Sequence, residues 1–91
     1  MEMYNLTGNA VNIQFYERKQ GYAMTRAEVG ERIANLRMNQ NMTREQVAQA
    51  AGLSIKFIYE VEKGRKGLSV DSLLKIANAL SCSSDQILGE K

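Results

Sequence analysis

An all-α domain of five short helices is predicted for residues 25–91, and three features carry that prediction. Thr25, Thr43, Ser54, Ser69 and Ser83 each precede a segment whose apolar residues recur every three or four positions. Glycines follow the second and third of these segments directly. Beyond residue 24 no stretch alternates apolar and polar residues as a half-buried strand does.

Residues 1–24 read as a separate arm. Val11, Ile13 and Phe15 alternate with polar neighbours, as in a short strand, yet Val11, Phe15 and Lys19 also share one side of a helix over 10–20. Both readings stand at this point, with Gly8 and Gly21 punctuating the ends.

The first helix opens on Thr25-Arg-Ala-Glu28, the spacing of a capping box. Val29, Ile33 and Leu36 then set its apolar side, and the polar run Asn39-Gln40-Asn41 ends it. Thr43-Arg-Glu-Gln46 repeats the capping spacing before Val47, Ala48 and Ala51, and Gly52 stops that second helix after barely two turns. In the third, capped by Ser54, Ile55, Ile58 and Val61 keep the period until Gly64. The basic pair Arg65-Lys66 just beyond complements the negative pole of that helix. Ser69 caps the fourth, which has Asp71 in its first turn and Leu73, Leu74, Ile76, Ala77 and Leu80 as an apolar stripe. Ser83-Ser-Asp-Gln86 opens a last turn holding Ile87 and Leu88.

Composition removes most chemistry. The 91 residues contain no histidine and one cysteine, so an intrachain disulfide, a Cys/His zinc site and an imidazole-activated nucleophile are all excluded. No pair of Glu, Lys or Tyr residues has a spacing that argues for catalysis, so no enzyme and no cofactor are expected. No apolar run approaches the roughly 18 residues of a membrane span, and the N-terminus lacks a basic segment followed by an apolar block. A soluble, intracellular chain without membrane contact is expected.

A net charge of +2 is close to balance, but its distribution is uneven. Arg37, Arg44, Lys56, Lys63, Arg65 and Lys66 outnumber Glu45, Glu60 and Glu62 between Arg37 and Gly67, which leaves the remainder slightly acidic. The excess lies around the second and third helices. Joined by Ala51-Gly52-Leu53-Ser54, with Leu53 expected to plug their corner, these two have the layout of a DNA-binding helix-turn-helix.

The run Ile33-Ala-Asn-Leu36-Arg37, Met42-Thr-Arg-Glu-Gln-Val47-Ala48, Ala51-Gly52-Leu53-Ser54, Ile58-Tyr-Glu-Val61-Glu62-Lys63-Gly64 and Leu73-Leu74-Lys75-Ile76-Ala77-Asn-Ala79-Leu80 resembles the helix-turn-helix domain of the phage repressor and Cro type, also called XRE-like. The resemblance spans roughly residues 29–88. It implies a five-helix lambda-repressor-like domain that binds double-stranded DNA in a bacterial or phage-infected cytoplasm, associated with the nucleoid. It also implies a transcriptional regulator, a repressor, working as a homodimer on a palindromic operator. The dimer surface is expected at the last helix, around Ile87 and Leu88, or in the arm.

Carried over by position, the resemblance makes 54–63 the recognition helix, with Ser54 as its cap. Arg44, beside Thr43 at the start of the second helix, stands where the family more often has a phosphate-binding glutamine, and Lys63 where asparagine is common; both are expected on the DNA backbone. Ile55, Lys56, Phe57 and Glu60 take the positions that face base edges, with Tyr59 at the flank, and Arg65 and Lys66 add phosphate contacts. Two of these positions depart from the family's polar pattern. Ile55 and Phe57 either touch thymine methyl groups or serve packing, Ile55 in the domain and Phe57 at a dimer surface. Lys56 either reads guanine or faces solvent, and Glu60 either accepts from cytosine N4 or faces solvent.

The resemblance also places Arg37 and Glu62 as a structural ion pair. Cys82 reads as a small buried hydrophobe, since Ser81, Ser83 and Ser84 bring no cation to its thiol. A second class of function is an interaction module, such as an antitoxin-like protein, whose residues 1–24 bind a protein partner.

Overall fold

Reciprocal hydrogen bonds start the chain into its first helix. The Thr25 hydroxyl oxygen accepts from the Glu28 amide at 3.0 Å, while the Thr25 amide donates to Glu28 Oε1 at 2.9 Å. In the computed structural model, which describes residues 24–89, this box opens α1, Arg26–Asn39. Thr43 and Gln46 form the same box at α2, Arg44–Ala51, and Ser83 and Gln86 at α5, Ser84–Leu88. Ser54 caps α3, Ile55–Glu62, and Ser69 caps α4, Val70–Ala79, each by accepting from the amide three residues on. The arm, residues 1–24 as read from the sequence, lies outside the described residues except for Met24, which is buried in the core.

The eight-residue helices α2 and α3 cannot persist alone, because nucleation costs more than so few hydrogen bonds return. Packing holds them. Val47 and Ala48 on α2 and Ile58 and Val61 on α3 are buried, and each large aliphatic side chain so placed contributes about 1.5–3 kcal/mol. The helices α2 and α3 pack on each other, α1 rests on α3 and α5, and α4 lies against α2 and α5. Leu53 in the turn packs against this core, as expected of a corner plug.

The turn itself depends on Gly52, whose φ of +70° lets the Leu53 amide donate to the Ala48 carbonyl at 3.0 Å. A Cβ at this position would meet no atom within 4 Å, so the cost of Gly52→Ala is purely conformational. A loss of about 1 kcal/mol is expected from urea denaturation. A variant as stable as the parent would show that the turn does not require this conformation.

Three apolar positions depart from the sequence expectation. Leu74, read as part of the α4 stripe, is 53% exposed, because it lies about 100° around the helix from Leu73 while Ile76, Ala77 and Leu80 point inward. Ile87 and Leu88, expected at a dimer surface, are buried in the chain's own core, where α5 packs against α1 and α4. Cys82 is half-buried and packs against the core, and burial pushes its thiol pKa up by disfavouring the thiolate.

No helix among the described residues is long and apolar enough to cross a membrane.

Candidate nucleic-acid interface

The start of α2 and the outer face of α3 border one open depression of about 670 Å³. It is lined by Arg37, Met42, Thr43, Arg44, Glu45, Ile55, Lys56 and Tyr59, so five of the residues singled out from the sequence, Thr43, Arg44, Ile55, Lys56 and Tyr59, converge there. Helical geometry explains the grouping. Ile58, Val61 and Glu62 face inward, which leaves Lys56, Tyr59 and Lys63 on the opposite side of α3, all exposed.

The capping residues of both helices border this face. Thr43 and Ser54 are exposed, and each hydroxyl oxygen already accepts a backbone N–H, from Gln46 and from Phe57 respectively, both at 3.0 Å. Each hydroxyl proton is left to donate outward. The partial positive charge at a helix N-terminus favours an anion there.

Beneath the face lies an ionic triad. Glu62, with its side chain only 2% exposed, accepts from Arg37 Nε at 2.7 Å through Oε2 and from Arg37 Nη2 at 3.0 Å through Oε1. The expected ion pair is present, in the two-pronged form that guanidinium and carboxylate favour. Arg37 Nη1 also donates to the Met42 carbonyl at 2.9 Å, tying down the segment before α2. The third member, Arg44, is absent from the sequence reading as a partner: its Nε donates to Glu62 Oε1 at 2.8 Å. One carboxylate thus joins α1, α2 and α3.

Three cations, Arg44 among them, surround an aromatic ring. The Arg44 guanidinium carbon, Lys63 Nζ and the Arg65 guanidinium carbon stand 5.2, 5.6 and 5.7 Å from the centre of the Tyr59 ring, within the range of cation–π attraction. Tyr59 is therefore central to this group of cations. The spacing of Tyr59 and Lys63, the latter capping the C-terminus of α3 four residues on, signals their contact; no local spacing signals Arg44 or Arg65.

Ile55 and Phe57 part company. Ile55 is 47% exposed and borders the depression, whereas Phe57 is half-buried and packs against the core. Glu60, half-buried, lies 3.7 Å from Lys66 Nζ, so the two charges partly offset each other.

A helix-turn-helix family model, HTH_3, matches residues 33–87. The HTH-type transcriptional regulator y4mF of Sinorhizobium fredii is 30% identical over 61 residues, covering 67% of this chain and 80% of that protein. The cryptic phage CTXphi transcriptional repressor RstR of Vibrio cholerae is 36% identical over 62 residues, covering 68% of this chain. This chain spans 55% of the length of that repressor. Among solved structures, the restriction-modification controller protein C.AhdI from Aeromonas hydrophila superposes with a TM-score of 0.67 at 27% identity, over 68% of this chain and 94% of that one.

Proposed function

Because the chain belongs to the helix-turn-helix family HTH_3, whose members here are transcriptional regulators and not enzymes, we propose that it binds double-stranded DNA in a sequence-specific manner and acts as a repressor. The observation that carries this reading is the convergence of Arg44, Lys56, Lys63 and Arg65 with two helix N-termini on one face of α2 and α3. On this reading 54–63 lies in the major groove. Arg44, Lys56, Lys63, Arg65 and Lys66 supply phosphate contacts, and the exposed faces of Ile55 and Lys56 supply base discrimination.

One protomer offers too few contacts for tight binding, so the proposal includes a two-fold dimer on a palindromic operator, with recognition helices about 34 Å apart. Ile87 and Leu88 are buried in the chain's own core, so on this reading a dimer contact uses other side chains, of the last helix or of the arm.

Selection of bound sites from a random duplex pool tests the reading directly: a palindromic motif is expected, and failure to enrich any motif contradicts it. A salt titration on the selected duplex then measures the backbone contribution. If all five cations reach phosphates, the slope of log K against log salt is about −4 to −5 per protomer. A slope near zero would remove the electrostatic basis of the proposal.

A further inference from the structure

Building on the DNA-binding reading above, we propose that Tyr59 is a positioning residue, whose ring gathers Arg44, Lys63 and Arg65 into one cationic cluster that receives a backbone phosphate of duplex DNA. Three like charges repel one another and would splay apart in water. What opposes this is a shared aromatic surface, with all three cations within 6 Å of its centre.

The cluster is also short of negative charge. Lys66 and Lys75 have carboxylates of their own, Glu60 and Asp71, at 3.7 and 3.2 Å. Among the described residues no carboxylate comes within 4 Å of Lys63 or Arg65, and the carboxylate that holds Arg44 is the one shared with Arg37. An anion is the missing partner.

The mode of attachment leaves the donors available. Attraction to the ring acts through the cation's charge and uses none of its N–H groups as a directed hydrogen bond, so this contact leaves donors of Arg44 and Arg65 for phosphate oxygens. Arg44 is fixed further by its Nε bond to Glu62, which leaves its two terminal nitrogens to reach outward. A phosphate matches this set because it accepts a two-pronged arginine contact and a lysine point charge together.

The test compares Tyr59→Leu and Tyr59→Phe with the parent on a mixed-sequence duplex of about 20 base pairs at about 50 mM salt. Y59L is expected to bind about tenfold more weakly and to show a salt slope shallower by roughly one, while Y59F stays within about twofold of the parent. Upfield-shifted side-chain methylene resonances of Lys63 are expected in the parent and Y59F and not in Y59L; being read on folded molecules, they are insensitive to any change in stability. Parent-like binding by Y59L overturns the proposal. So does equal weakening in Y59F, which would assign the effect to the hydroxyl, and so do unshifted Lys63 resonances in the parent. A parent protein without salt-dependent duplex binding would overturn the DNA-binding reading itself, and the phosphate role of the cluster with it.

Discussion

Gly30→Ala is expected to destabilise the domain by about 3 kcal/mol or more, a large share of what so small a fold possesses. Two effects of opposite sign compete. Replacing a glycine inside a helix by alanine gains about 1 kcal/mol of helix propensity, and Gly30 sits in the second turn of α1. Against that, a Cβ at Gly30 would overlap the Val61 carbonyl oxygen and lie 2.8 Å from the Glu62 carbonyl oxygen. Backbone at the end of a packed helix has no rotamer with which to move aside. The α1 and α3 axes must then separate, opening the core around Ile33, Ile58 and Val61 and straining the Arg37–Glu62 bridge that spans the same contact. Steric cost exceeds propensity gain. The midpoint of urea denaturation measures the balance, and a variant no less stable than the parent would mean that α1 and α3 tolerate separation.

Helix number and boundaries were legible in the sequence because capping is local. A threonine or serine and the residue three positions on carry the whole signal, and all five expected caps are found at the helix starts. The glycine turn after α2 was legible for the same reason. Gly30 was not: inside a helical period a glycine looks like a mild defect until the partner that crosses it is known. Leu74 and Ile55 satisfied the apolar period yet are exposed, since periodicity names a stripe without fixing its width or what lies opposite. The candidate site divides along the same line. The Arg37–Glu62 bridge came from a family resemblance, whereas the third arm from Arg44 and the clustering at Tyr59 depend on how α2, α3 and the segment after α3 converge. No spacing along the chain encodes that convergence.

The surface proposed to face DNA is thus built on two levels. Glu62 and Arg37 lie below, removed from solvent, and the cations with Tyr59 lie above. Arg44 belongs to both, with its Nε on the buried carboxylate and its guanidinium carbon 5.2 Å from the centre of the ring. Changes beneath the surface should therefore reach DNA through the orientation of α3 and not through any base.

Glu62→Leu puts that to the test and is expected to cost about 3–5 kcal/mol, because it leaves the Arg37 side chain, 11% exposed, without an anion. Arg44, at 36%, regains water and adds little to the loss. Arg37→Met should cost less, about 2 kcal/mol, since Glu62 keeps Arg44 as a partner and a flexible apolar chain fills the space. The asymmetry follows from the triad: two cations depend on one carboxylate, but the carboxylate has two cations. Combining Arg37→Met with Glu62→Leu removes both buried charges together, so the loss in the double variant should fall well short of the sum of the single losses. Denaturation of the four proteins measures the cycle, and strict additivity would mean that the buried contact is not coupled. Duplex binding by Arg37→Met, measured where the variant is folded, should weaken on all sequences alike and leave the ranking of base substitutions unchanged. A variant of unaltered stability with a changed base preference would instead place Arg37 on the DNA.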